Sequence, residues 1–291
     1  LGKATDEEFM INSKSVAAWI KKLEGLMDMH ADSHSSLDTR MMNVEKRIKN
    51  LVDPYNGHDY VDLGLPSGLK WATCNIGADI PAEYGDYFAW GETAPYYTAG
   101  HSQDSPCSNW ETGKSGYNWE SYQWCNGSST TMTKYCIYHS YGTVDNKTVL
   151  DLEDDAANVN WGGEWRIPTP AELTELQNNC YWKWVTSYRG VSVNGYIVYR
   201  IKDFADKGKY NPSYKPVGTY SLSDPHIFLP AAGYRSNGDL CEAGSYGYYW
   251  SSSLVSSLVS SNAYDMYFDS TVVSRYFDSR YLGRSIRAVC R

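Results

Sequence analysis

The sequence predicts an α+β head carried on an α-helical coiled-coil stem. Three observations predict it: apolar residues near the N-terminus recur at alternating steps of four and three, short apolar runs broken by Gly, Asn, Asp and Ser follow from Tyr55, and only two later stretches carry helix signals. The corresponding division is residues 1–53 for the stem and 54–291 for the head.

The stem is read first. Val16, Ile20, Leu23, Met27, His30, His34, Leu37, Met41, Val44, Ile48 and Leu51 form an unbroken seam. With Ile20, Met27, His34, Met41 and Ile48 at a, Gly25 falls on the outer f position, and Arg40 at g faces Glu45 at the next e of a parallel neighbour. Asp53-Pro54 ends the helix, because proline lacks a donor and disfavours helix in the residue before it. The seam predicts a homo-oligomer, and the packing rule leaves two and three strands open. His30 and His34 would form polar layers that fix register, or that bind an anion or a metal.

In the head, two helices are expected. One runs through Leu150 to Val159; the other opens at Thr169-Pro170-Ala171-Glu172, where Thr at N-cap, Pro at N1 and Glu at N3 make a capping box. The rest reads as short strands and turns. With 26 Tyr, 24 Gly and 11 Trp among 291 residues, the chain is built on loops and aromatic anchors. No run is long and apolar enough for a membrane span. Of 26 basic and 34 acidic groups, 8 and 9 precede Pro54, which leaves the head at about −7 and argues against nucleic acid or an anionic membrane as partner. Arg275, Arg280, Arg284, Arg287 and Arg291 are the exception, a basic cluster at the end. Seven widely spaced Cys, an odd number without C-x-x-C, predict buried thiols rather than a disulfide framework.

Catalytic chemistry finds little footing. His58, His101, His139 and His226 show no metal-ligand or nucleophile spacing, and no hydrolase elbow is present. Gly113-Lys114-Ser115 lacks the upstream Gly of a phosphate loop, since Ser108 stands there. Asp151, Glu153 and Asp155 imitate the start of a calcium loop but have Ala156 where its Gly belongs, and read better as an acidic first helical turn. Glu92 is expected to be a satisfied buried carboxylate. The sequence therefore predicts a binding protein and not an enzyme, with no cofactor and no metal.

Five blocks in order carry a resemblance: Val61-Asp62-Leu63-Gly64-Leu65-Pro66-Ser67-Gly68-Leu69-Lys70-Trp71; Tyr87-Phe88-Ala89-Trp90-Gly91-Glu92-Thr93; Asp155-Ala156-Ala157 with Trp165-Arg166-Ile167-Pro168-Thr169; Phe228-Leu229-Pro230-Ala231-Ala232-Gly233-Tyr234-Arg235; and Gly247-Tyr248-Tyr249-Trp250-Ser251-Ser252-Ser253. From about Val61 to Arg287 the chain resembles the Fibrobacter succinogenes major paralogous domain family, common in Bacteroidetes and their phages. The resemblance implies a C-type-lectin-like fold, related also to the formylglycine-generating enzymes. Those enzymes need a reactive Cys pair, for which Cys241 and Cys290 are the late candidates here. By analogy with phage fibre stems, three strands are expected for the oligomer.

More narrowly, the chain resembles the variable proteins of diversity-generating retroelements, in which adenine-specific mutagenesis randomises Asn codons near the C-terminus. Such codons can become Tyr, Ser, Asp, Leu, Val, Phe or Arg, but never Lys, Glu, Gln, Trp or Met. All 15 Lys, 13 Glu and 11 Trp precede Ser251; even mixing would leave roughly five or six of them in the last 41 positions. Met266 is the one exception, and is expected to be a fixed core residue.

Residues 246–286 hold 7 Tyr and 11 Ser, a composition in which rigid aromatics supply contact area and hydroxyls supply adaptable hydrogen bonds. The ligand-binding face is therefore expected at Leu254, Val255, Ser257, Leu258, Asp269, Val272, Arg275, Tyr276, Phe277, Asp278, Tyr281, Leu282 and Arg284, with Tyr276, Phe277, Tyr281 and Arg284 dominating the energy. Alternation places Met266 and Phe268 inward and Asp265, Tyr267 and Asp269 outward. The expected function is a receptor- or ligand-binding adhesion protein, either a phage tail component or a bacterial surface lipoprotein, whose partner is a host-surface protein or glycan. An oxidase related to the formylglycine-generating family is the enzymatic alternative.

Overall fold

The capping box at Thr169 opens a helix as the sequence predicts. In a computed structural model, which describes residues 55–95, 116–255 and 259–291, the Thr169 hydroxyl accepts from the Glu172 N–H, and the Glu172 carboxylate accepts in return from the Thr169 N–H. The other expected helix starts later than Leu150. The buried Asp155 carboxylate accepts from the N–H groups of Ala157 and Asn158 at 2.9 and 3.2 Å, so the α-helix begins at Ala156 after a 3-10 turn over Leu152–Asp154.

In chain order the elements are β1 (Tyr60–Asp62), β2 (Lys70–Ala72), α1 (Ala156–Trp161), α2 (Pro170–Asn179), β3 (Cys180–Val185), β4 (Gly195–Arg200), β5 (His226–Pro230), β6 (Tyr234–Ser236), β7 (Asp239–Cys241), β8 (Gly247–Leu254), β9 (Asn262–Phe268), β10 (Val273–Ser279) and β11 (Val289–Cys290). They form three three-stranded sheets, β1-β2-β11, β3-β4-β5 and β10-β9-β8, and a β6-β7 ribbon, with every pairing antiparallel. Two α-helices, of 6 and 10 residues, stand against eleven strands among the described residues. The α+β, C-type-lectin-like head on a helical stem is thereby corrected to a predominantly β fold. Tyr, Trp, Val and Ile fit a pleated surface, and frequent turn residues keep the helical stretches short. The coiled-coil seam expected over residues 1–53, with its His30 and His34 layers, lies outside the described residues.

Two apolar clusters meet on the β10-β9-β8 sheet. Tyr249, Met266 and Phe268 join a core shared with Leu173 and Leu176 of α2, Trp182, Tyr196 and Leu229. Trp250, Leu254 and Ala263 join a second one built on Trp90, Trp165 and Ile286. A side chain at position 247 would run into the Phe268 ring, so Gly247 is what allows β8 to lie over it. The central part of this sheet is thus covered on both faces, while β10 is an edge strand that pairs, among the described strands, with β9 alone.

Candidate ligand-binding face

The late arginines are not a basic surface. Arg280, Arg284 and Arg287 are all buried, and each guanidinium is consumed by the fold. Arg280 donates to the carbonyls of Lys134, Tyr135 and Ser260 at 3.1, 3.0 and 2.9 Å and lies over the Trp90 and Tyr122 rings. Arg287 donates to the carbonyls of Ala72, Thr73 and Phe228 and to Asn75 Oδ1. Arg284 forms an ion pair with the fully buried Asp265, donates to Asp278 Oδ2 at 2.8 Å, and lies over the Tyr248 and Trp250 rings. Arg275 alone of the first four is exposed.

The remaining expected face residues fall into three groups. Leu254, Val255 and Leu282 are buried core residues, at 1, 3 and 5 % exposure, so with Arg284 they are unavailable for direct contact. Leu254 and Leu282 both pack in the cluster around Trp90 and Trp250. Asp269, Val272, Asp278 and Tyr281 are partly exposed and carry structural duties. The Asp269 carboxylate accepts from Thr271 N–H, Thr271 Oγ1 and Val272 N–H at 2.6, 2.7 and 3.0 Å, shaping the β9–β10 turn. Burial works against its ionisation, but these hydrogen bonds outweigh burial and hold the carboxyl below its ordinary range. Tyr281 packs edge-on against Trp119 at 4.8 Å. Ser257 and Leu258 lie outside the described residues.

What stands outward is Arg275, Tyr276 and Phe277, consecutive on β10. Tyr276 and Phe277 are 54 and 43 % exposed, and their rings stack at 5.4 Å. Behind them the register places Tyr248 opposite Tyr267, and Tyr267 opposite Ser274. Tyr267 contacts Tyr246, Tyr248 and Tyr276 at 5.8, 5.5 and 6.4 Å, and Tyr248 meets Tyr234 edge-on at 5.3 Å, so a row of partly exposed tyrosines crosses all three strands to the edge. At its rim the Tyr248 hydroxyl donates to Glu242 at 2.6 Å, and Arg275 lies over Tyr264. Tyr246, Tyr248, Tyr264 and Tyr267 were not among the residues expected for the face. The signal for Tyr246 and Tyr248 was their alternation with core Tyr249, and for Tyr267 the alternation with Met266 and Phe268. Alternation misled at Asp265, whose outward position is covered by Arg284.

Other possible chemistry is weakened by the geometry. Asp151, Glu153 and Asp154 bring carboxylates together, but the Lys134 ammonium already sits among them at 2.9, 3.2 and 2.5 Å, where a cation would bind. Burial pushes the Cys290 thiol up to about 11 and the Cys241 thiol upward as well, the opposite of an activated thiolate. Cys74, Cys125, Cys136 and Cys180 are buried. Glu92 is buried and accepts from the Gln123 N–H at 2.7 Å. No helix among the described residues is long and apolar enough to cross a membrane.

A family described as a domain of unknown function (DUF8237) matches residues 200–289, a stretch that contains the whole tyrosine row and β10. No curated protein and no solved structure matches the chain.

Proposed function

We propose that this chain is a receptor- or ligand-binding adhesion protein that recognises a host-surface protein or glycan through the tyrosine row and the edge strand β10. The observation that carries the reading is the exposed Arg275-Tyr276-Phe277 run on a strand edge that no other described strand pairs, with Tyr276 stacked on Phe277 and meeting the tyrosine row at Tyr267. Large exposed aromatics beside an Arg are the residue types that dominate interface energies, and their stacking holds them ready without a large loss of side-chain freedom on binding. The resemblance to the major paralogous domain family and to retroelement-diversified proteins supports the same reading. Residues 275–277 are of types that randomised Asn codons encode, and the display would be on a phage tail or a bacterial surface.

The test is paired. Arg275→Ala, Tyr276→Ala and Phe277→Ala are each expected to weaken host-cell binding by about 30-fold, which corresponds to about 2 kcal/mol. Their unfolding free energies are expected to stay within about 0.5 kcal/mol of the parent, as for surface positions. Unchanged binding by all three, or loss of binding in proportion to loss of stability, would overturn the reading.

A further inference from the structure

We propose a second binding site, for an acidic sugar, in the cavity between β3 and the loop that follows residue 210. The cavity has a volume of about 270 Å³ and is walled by Tyr181, Trp184, Tyr214 and Tyr220, with Lys183 and Lys215 at its border. It lies on the β3-β4-β5 sheet, apart from the tyrosine row on β8 to β10, and does not depend on the function proposed for that row.

The walls are set before any ligand arrives. Asp206 is fully buried and accepts from the hydroxyls of Tyr214 and Tyr220, both at 2.9 Å, and from the N–H groups of Val217 and Gly218 at 2.7 and 2.8 Å. One carboxylate thus ties the loop to the 3-10 turn Phe204–Asp206 and spends both phenol hydroxyls, leaving ring surface to line the space. The rings are not parallel: Tyr220 is tilted 34° from Tyr181 at 4.7 Å, and Tyr214 is tilted 57° at 6.3 Å. Tilted rings cannot sandwich a flat aromatic ligand between two stacked faces, whereas a puckered pyranose offers a C–H face to one ring and hydroxyls to the polar rim. The rim chooses the charge. Among the described residues no carboxylate lines the cavity, and Lys183 and Lys215 are exposed and form no ion pair, in a chain of net charge −8.

The experiment is saturation-transfer NMR on the full chain with D-glucuronate, D-glucose and benzoate, repeated on the double variant Lys183→Ala, Lys215→Ala. Glucuronate is expected to saturate with a roughly millimolar Kd, as befits so small a ligand. It is expected to bind about fivefold tighter than glucose, the gain from one solvent-screened charge contact. The double variant is expected to keep its melting curve and to bind both sugars alike. Four results would overturn the proposal: no saturation by glucuronate, equal binding of both sugars to the parent, benzoate binding as tightly as glucuronate, or an undiminished preference in the double variant.

Discussion

Arg280 shows what a charged residue does here when it is taken out of water. Its guanidinium replaces lost hydration with three carbonyls and the Tyr122 hydroxyl, joining residues 122, 134, 135 and 260. Removing it orphans several buried acceptors at once, and each orphan costs about 1–3 kcal/mol. Arg280→Ala is therefore expected to destabilise the fold by about 3 kcal/mol or more in urea denaturation; a loss below about 1 kcal/mol would mean that water replaces the guanidinium. Asp86 gives a pH-dependent counterpart. Its carboxylate rests on Gly77, where a Cβ would collide with it, and burial pushes its pKa from 3.8 up to about 6. An acid whose folded pKa is raised binds more protons folded than unfolded, so its ionisation costs stability above about pH 6 and the cost fades as pH falls toward 4. Asp86→Asn is expected to raise stability by roughly 1–2 kcal/mol at pH 7 and to change it little at pH 4. The sequence could list these charges but not bury them. Five Arg near the C-terminus read as a basic cluster, because what distinguishes Arg275 from Arg280 is the set of distant carbonyls each meets.

At the scale of elements, local signals were legible where one short segment decides the outcome. The capping box at Thr169 and Glu172 and the inward Met266 and Phe268 stand as read. The outward positions were harder, because period-two alternation assigns a side but not what lies over it. Asp265 is on the expected side of β9 and is nevertheless sealed beneath Arg284, a residue 19 positions later in the chain. Leu254 and Leu282 are expected from the sequence on the binding face, yet they meet Trp90 and Trp250 in the second core cluster. The β9–β10 hairpin, by contrast, depends on a local device, the three hydrogen bonds from Thr271 and Val272 to Asp269. Asp269→Ala removes them all and is expected to cost about 1–2 kcal/mol, and to weaken ligand binding only insofar as it loosens Tyr276 in the middle of the strand. Thermal unfolding beside binding measurements checks the order. If binding falls as far as in Tyr276→Ala while stability is unchanged, Asp269 touches the ligand itself.

Across the whole molecule, the segment matched by the family of unknown function does not coincide with a self-contained structural unit. Residues 200–289 contain β5 to β10 and most of the late arginines, but their partners lie earlier in the chain. β11 pairs with β2 through Val289 opposite Trp71, Arg287 bonds to Ala72, Thr73 and Asn75, Arg280 bonds to residues 122 to 135, and β5 takes its ladder from β4. The first core cluster needs Leu173 and Leu176 of α2, and the second needs Trp90 and Trp165. A fragment of residues 200–291 would strip the buried Arg280 and Arg287 guanidinium groups of most of their acceptors and expose the apolar faces of β8 and β9 on both sides. Unpaired strand edges and uncovered apolar faces of that kind favour aggregation over folding. The fragment is expected to show no cooperative thermal transition and no dispersed amide spectrum, while residues 54–291 unfold in a single transition. A cooperatively folded 200–291 fragment that retains the parent's ligand affinity would show that the tyrosine row is carried by the late strands alone, and that the arginine contacts to residues 72–135 anchor it without holding it together.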